Sequence, residues 1–359
     1  MHRFPIPAIP SPKQTALTPV NGVRSASRAW CRTVKPWFQS AVGMLGALWL
    51  HAQVAGAAQG PDKPPAIEES VDTQRGSLAW SYRGRTLLTY AFGTNLFKPY
   101  VRELSTLDGQ NILRDAPPDH PHHHGLMYAL RVNGVNYWEE SGHPGQQRHA
   151  RLIDHGTSHT RDGLPQARFT ELLLWVPETG TTGTEKGRDA ALVERRTLVL
   201  TVDEAGREVA LAWHAEFEPG SRTNRVHLDG ADYNGLGFRL PAAWDLAARH
   251  GNSDDAPYPT HGVRDVFPAR WASVAQPGPG QGAQIVLCDL PRKHAGSPRF
   301  FAMTRPFAYL SVTQGVDRTP LDYRSGDRFE LDYLVLVYPA ARTKAQIEAR
   351  YQRWATAFH

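Results

Sequence analysis

The run Asp119-His120-Pro121-His122-His123-His124-Gly125 is the densest set of chemically active side chains in this sequence of 359 residues. Imidazole is the commonest metal ligand and the side chain whose charge changes nearest neutral pH. Such crowding is costly to bury and is not needed for packing, so the run marks a candidate site. Three chemistries are open. Asp119, His120 and His122 could ligate a divalent metal, and Zn, Mn, Fe or Cu suits such donors. An imidazole could instead act as a metal-free general acid or base, with its tautomer fixed by Asp119. Or the run is a polar loop whose rings bond to backbone and to one another.

Pro117, Pro118 and Pro121 exclude a regular helix here, because proline removes a donor and blocks the helical region for its predecessor. The run is therefore expected to be a rigid loop entering a strand over Leu126–Val132. In an extended segment His122 and His124 point one way and His123 the other, so at most two or three rings can meet one ligand. Asn133-Gly134 is a two-residue hairpin signal that returns Trp138 and Glu139 beside the loop. An indole next to a carboxylate suits the apolar ring face and hydroxyl rim of a sugar. The candidate catalytic residues are thus Asp119, His120, His122, His123 and Glu139. Trp138, His124, Arg114, Arg239 and Arg305 are candidate substrate contacts.

Other polar groups carry less. His214 and Glu216 share the polar face of one strand and read as solvent-exposed. Asp232–Arg239 is a Gly-rich turn without the strand–loop–helix context of a phosphate site, although Arg239 could clamp an anionic or hydroxyl-rich ligand. His294, Arg299 and Arg305 surround Phe300-Phe301 in what reads as a polar loop.

The elements that must hold these residues are strands. In Glu208–Glu218, Val209, Leu211, Trp213, Ala215 and Phe217 alternate with Glu208, His214, Glu216 and Glu218, a period of two. Phe329–Tyr338 begins by alternating and becomes continuously apolar, as in a strand buried on both faces. Arg168–Val176 and Leu192–Val202 are further strands, with a flexible loop over Thr179–Gly187 between them. Asp203–Gly206 reads as a hairpin turn. A helix is expected only over Thr343–Phe358, with Ile347, Tyr351, Trp354 and Phe358 on one face. Strands without strand–helix alternation imply an all-β fold, a large β-sandwich of one domain over residues 67–359 with a C-terminal helix.

The N-terminus reads as a leader. Residues 1–58 hold no acidic residues and six basic ones, the last of them Lys35, after which come the short apolar run Ala41–Leu50 and the small-x-small pattern Ala55-Gly56-Ala57. These parts in this order predict a secretory signal over 1–57, a flexible spacer over 58–66, and a periplasmic or extracellular mature protein. The apolar run falls short of the roughly 20 residues a membrane span needs. The whole chain has 40 Lys and Arg against 35 Asp and Glu, but without the leader the basic residues number 34. The basic excess belongs to the leader and gives no support for nucleic-acid binding. Cys31 lies in the leader, so Cys288 stands alone in the mature part and no intrachain disulfide is expected there.

Lys98-Pro99-Tyr100, Asp108-Gly109, Arg114-Asp115, the Asp119–Gly125 run and Val132–Glu139 together resemble the PmoA-like family of secreted bacterial proteins, otherwise a domain of unknown function. The resemblance runs from Phe97 to Trp354 and includes Gly235–Arg239, Ala269–Trp271 and Ile285–Pro291. It implies a β-sandwich, of the galactose-mutarotase-like supersandwich type, and a link to bacterial carbohydrate utilisation. By position, Asp119, His120, His122 and His123 match the family's Asp-His-Pro-His-His core. His124 departs from it, since relatives usually carry Arg there. Phe300–Arg305 stands where relatives show Trp-His-x-Arg, which implies altered specificity or activity. Methane oxidation is not carried over, because the enzyme subunit of that name is an integral membrane protein and this mature chain has no span.

The reading is an exported protein that processes or binds a carbohydrate, as a small molecule or oligosaccharide, by lyase, hydrolase or epimerase-type acid/base chemistry. The alternatives are a metal-dependent oxidoreductase that uses the Asp/His loop as ligands and a non-catalytic sugar-binding module.

Overall fold

The computed structural model describes residues 66–177, 190–221, 223–254, 265–278, 282–293 and 295–357. The leader over 1–57, the spacer except residue 66, the loop expected over Thr179–Gly187, His294 and Phe358 lie outside the described residues. Among the described residues the strands form three sheets, of nine, eight and four strands. Every strand pair in them is antiparallel, as in the long ladder between Leu192–Asp203 and Glu208–Pro219.

The two large sheets stack face to face. Trp80 and Tyr90 of the nine-stranded sheet pack on Phe169 of the eight-stranded one, with ring centroids 5.5 and 4.7 Å apart. Tyr128 bridges in the same way to Trp175 and Phe217. The strand alternation predicted for residues 208–218 places Val209, Leu211, Trp213, Ala215 and Phe217 in that shared core. The opposite face is not uniformly solvated. Ala210 packs with Trp271, Leu334 and Leu336 against Ile347, Tyr351 and Trp354 of the Lys344–Thr356 helix. Glu208 is therefore buried, and it accepts from Tyr338 Oη and Arg350 Nε at 2.6 and 2.8 Å. Phe329–Tyr338, as its continuous apolar run implies, lies between core and helix. A capping box of Thr343 and Gln346 starts that helix.

The segment read as one strand over Leu126–Val132 is split. Leu126–Ala129 joins the nine-stranded sheet, whereas Arg131–Val132 pairs with Val135–Asn136 in the small one. The hairpin between them turns on Asn133 and Gly134, at φ of 53° and 78°, the double positive φ that Asn-Gly tolerates. Phe300 and Phe301, expected in a polar loop, are buried in the Arg299–Met303 strand. Arg299 there pairs with Asp317 at 2.7 Å. No helix among the described residues is long and apolar enough to cross a membrane.

Register locates the candidate site. Tyr128, Leu236, Val312 and Phe300 lie on one line across neighbouring strands and face the eight-stranded sheet. Residues one step along each strand point the other way. Arg239, Tyr309 and Met303 thus share the outer face of the nine-stranded sheet, where the histidine loop comes to rest.

Candidate functional site

Residues 116–124 form two consecutive turns, not an extended segment. His120 N–H donates to the Pro117 carbonyl at 2.9 Å and His123 N–H to the His120 carbonyl at 3.0 Å. Ala116 N–H closes the loop onto the His123 carbonyl at 2.9 Å. Gly125 ends it at φ +26°, where a Cβ would stand 2.1 Å from the Val101 carbonyl oxygen. Only glycine lets the loop press so closely on the Tyr100–Leu104 strand. Because the chain turns, the side chains do not sort by the period of two. His120, His122 and His123 converge, and His124 leaves them.

His120 and His123 stack with centroids 4.7 Å apart. His122 meets His123 edge-on at 4.6 Å. These three rings and Glu139 are the polar part of a cavity of about 420 Å³, whose remaining wall is Tyr233, Phe301, Met303, Pro306, Phe307 and Tyr309. That volume suits a small ligand, since such sites run to about 300–1,000 Å³. Glu139 accepts from Tyr233 Oη at 2.9 Å and from the Asn136 amide. Asn136 Oδ1 accepts in turn from the Trp138 and Glu139 N–H groups at 2.8 and 3.2 Å, so the hairpin end fixes the carboxylate.

Charge in the cavity is set by burial. His123 is 7 % exposed. Its burial, with His122 and His120 alongside, pushes it down to about 2, so it is neutral at any ordinary pH. Among the described residues its Nδ1 has no hydrogen-bond partner. Burial also lowers His122, helped by Lys98 and His120. His120 Nδ1 lies 3.1 Å from Asp119 Oδ2, which also accepts from Arg239 Nη2 at 2.9 Å. Partial burial would raise the Asp119 carboxyl, but the His120 hydrogen bond and the Arg239 charge hold it below its ordinary value. Arg239 is buried over the Phe307 ring, 3.4 Å from its centroid, and burial lowers its pKa.

Five expected contacts do not line this cavity. Trp138 is 1 % exposed and lies behind it, its ring 6.3 Å from that of His123. It supports the wall and offers no face to a sugar. His124 is held between Asp115 Oδ1 at 2.8 Å and Glu140 Oε1 at 3.0 Å, stacked on Tyr100. Burial alone would lower it, but the two carboxylates outweigh that and raise it. Lys98 Nζ, also buried, sits 2.5 Å from the same Glu140 oxygen. Arg114 lies 3.7 Å from Asp245, Arg305 is exposed, and Arg239 acts through Asp119. Of the trio expected to hold a metal, the rings of His120 and His122 lie 5.7 Å apart by centroid and edge-on, and Asp119 Oδ2 accepts from Arg239 Nη2. Among the described residues no group of three His, Cys, Asp or Glu side chains is placed to hold an ion.

The sequence reading missed the aromatic wall. Tyr233 fell inside a segment noted for its glycines and for Arg239, and Phe307 and Tyr309 carried no local signal. They reach the site through the pairing of the Gly235–Arg239, Tyr309–Thr313 and Arg299–Met303 strands.

A family model described as "Family of unknown function (DUF6807)" matches residues 77–352. No curated protein matches the chain. Among solved structures, the galactosidase domain of an alpha-galactosidase–sucrose kinase is similar at TM-score 0.44 and 11 % identity, over 76 % of this chain and 42 % of that one. A GH36 alpha-galactosidase from Geobacillus stearothermophilus is similar at TM-score 0.42 and 12 % identity, over 76 % of this chain and 41 % of that one. A galactose mutarotase related enzyme from Lactobacillus acidophilus gives TM-score 0.36 and 8 % identity, over 77 % of this chain and 100 % of that one. The chain spans about two fifths of the length of the galactosidases it matches. Likenesses this distant say nothing of what this chain binds.

Proposed function

The chain belongs to the Family of unknown function (DUF6807), and from that premise we propose that it acts on a carbohydrate or related polyhydroxylated compound by metal-free acid/base chemistry in the histidine cavity. The observation that carries the reading is one aromatic-walled cavity that gathers three imidazoles and one carboxylate. Aromatic faces pack on the C–H face of a sugar ring, while imidazole and carboxylate meet its hydroxyl rim.

The roles follow from the hydrogen bonds. Asp119 accepts from His120 Nδ1–H, which leaves Nε2 of that ring as the proton acceptor, and Arg239 keeps Asp119 in place. Glu139, on the other side of the hairpin, is the complementary acid or base. His122 and His123, both held toward the neutral form, position hydroxyl groups. Lyase, hydrolase and epimerase chemistry all fit this set. At finer grain, a kinship with the PmoA-like secreted proteins, which the Asp119-His120-Pro121-His122-His123 core supports, and export to the periplasm or medium belong to the same proposal.

The test compares binding with turnover. Glu139→Gln and His120→Gln are expected to retain sugar binding within about fivefold while turnover falls about 10²–10⁴-fold, the usual share of a general acid or base. Full turnover in both variants contradicts the assignment. Binding with no turnover in the unaltered protein makes it a non-catalytic sugar-binding module.

A further inference from the structure

A second cavity, of about 570 Å³, opens away from the histidine loop, beside the Ser77–Tyr82 and Arg85–Ala91 strands. Its wall includes Thr73, Gln74, Phe92, His149, Asp154 and His155. The last three come from Gln146–His159, the outermost strand of the eight-stranded sheet, whose register shifts at His149/Arg151 and again at Leu152/Asp154. Bulges of this kind re-aim side chains at a sheet edge.

The two histidines are held in the same unusual way. His149 Nδ1 lies 2.5 Å from Glu171 Oε1, and the other oxygen of Glu171 accepts from Tyr90 Oη at 2.5 Å. His155 Nδ1 lies 2.6 Å from Glu69 Oε1, and the other oxygen of Glu69 accepts from Trp80 Nε1 at 2.9 Å. Each is an aromatic donor, a carboxylate and an imidazole in series, running from the core to the cavity wall. Both series start on Phe169, which packs against Trp80 and Tyr90. Glu171 is fully buried, and Tyr90 Oη is itself held by Arg196 Nη1 at 3.0 Å. An imidazole whose Nδ1–H is given to a carboxylate presents Nε2 as an oriented lone pair. Among the described residues nothing hydrogen-bonds to either Nε2.

We propose that this cavity is a second binding site, for a neutral hydroxyl-rich ligand of monosaccharide size, whose hydroxyl groups donate to Nε2 of His149 and of His155. Both rings line the same cavity, each with its Nδ1 held by a carboxylate, and the volume falls within the range of about 300–1,000 Å³ for small-ligand sites. Thr73, Gln74 and Asp154 add further donors and acceptors around the rim. The site shares no lining residue with the histidine-loop cavity, so it stands whether or not that cavity is catalytic.

The test follows the imidazole nitrogens of the whole protein by ¹⁵N NMR while D-glucose, D-galactose or D-mannose is added. At least one hexose should shift the His149 and His155 Nε2 resonances saturably, in the unaltered protein and in His123→Ala alike. His155→Gln, at an exposed ring whose loss leaves the core intact, should weaken that binding about tenfold, the value of one hydrogen bond. His149→Gln should do the same. Three results overturn the proposal: no hexose moves either resonance, His155→Gln and His149→Gln leave binding unchanged, or Zn²⁺ alone moves both resonances where the hexoses do not.

Discussion

The rings of His120 and His123 lie stacked with 4.7 Å between centroids and 27° between planes. A proton on either ring raises the cost of a proton on the other, and burial adds to that cost for His123. The loop therefore presents His123, an imidazole that stays neutral, next to the ring of His120 with its Nδ1 on Asp119.

His123 should not titrate above about pH 4, because burial pushes it down to about 2. As pH falls below about 6.5 the unfolded chain takes up a proton that the folded chain refuses. Each pH unit there costs up to about 1.4 kcal/mol of stability. Urea unfolding of His123→Gln should lose stability less steeply than the unaltered protein between about pH 6.5 and 4.5. Parallel curves would contradict the neutral assignment.

His124 has the opposite sign. Asp115 and Glu140 raise it despite burial, so its contribution is complete below about pH 6.5 and is lost as pH rises through the folded value. His124→Leu leaves both carboxylates without this cation and should cost about 2–4 kcal/mol at acidic pH, less at alkaline pH. His124→Arg, which keeps a cation between them, should retain most of that stability. A cost for His124→Leu independent of pH would show that packing alone holds the ring.

Gly125→Ala tests whether the turn geometry places the histidines. Its Cβ would meet the Val101 carbonyl oxygen at 2.1 Å, and backbone cannot swing aside as a side chain can. A stability loss of about 2–4 kcal/mol is expected, with the His122 and His123 ring signals displaced in NMR. Unchanged ring shifts would mean the loop is held by other contacts.

Arg196 is fully buried and donates to Glu194 through Nε and Nη2, at 2.7 and 3.0 Å. Arg196→Met strands that carboxylate and should cost about 3–5 kcal/mol in urea unfolding. Adding Glu194→Leu should recover a good part of the loss. No recovery would place the arginine's value in Tyr90 Oη, the Pro99 carbonyl and Gln147 Oε1 instead, its other acceptors.

Local pattern carried the architecture. The alternation in residues 208–218, the apolar run 329–338 and the Asn133-Gly134 turn each reduce to sterics and burial within a few residues, and each is present where its pattern lies. The histidine run was legible as a site for the same reason. What sequence could not supply was direction. His124 and Trp138 sit within a few residues of the cavity lining, yet a turn sends one into a carboxylate pair and burial puts the other behind the wall. The Tyr233–Tyr309 side of the cavity and the paired His149 and His155 series come from strands distant in sequence. Nothing in their spacing announces contacts that only the sheet pairing creates.

The most direct measurement is a turnover screen of the purified protein on glycosides and keto-sugars, run with and without a strong chelator. The predicted result is turnover of at least one sugar, unchanged by chelator and reduced about 10²–10⁴-fold in Glu139→Gln. Absence of turnover across the panel, or activity that disappears with chelator and returns with added metal, would contradict metal-free acid/base chemistry in this cavity.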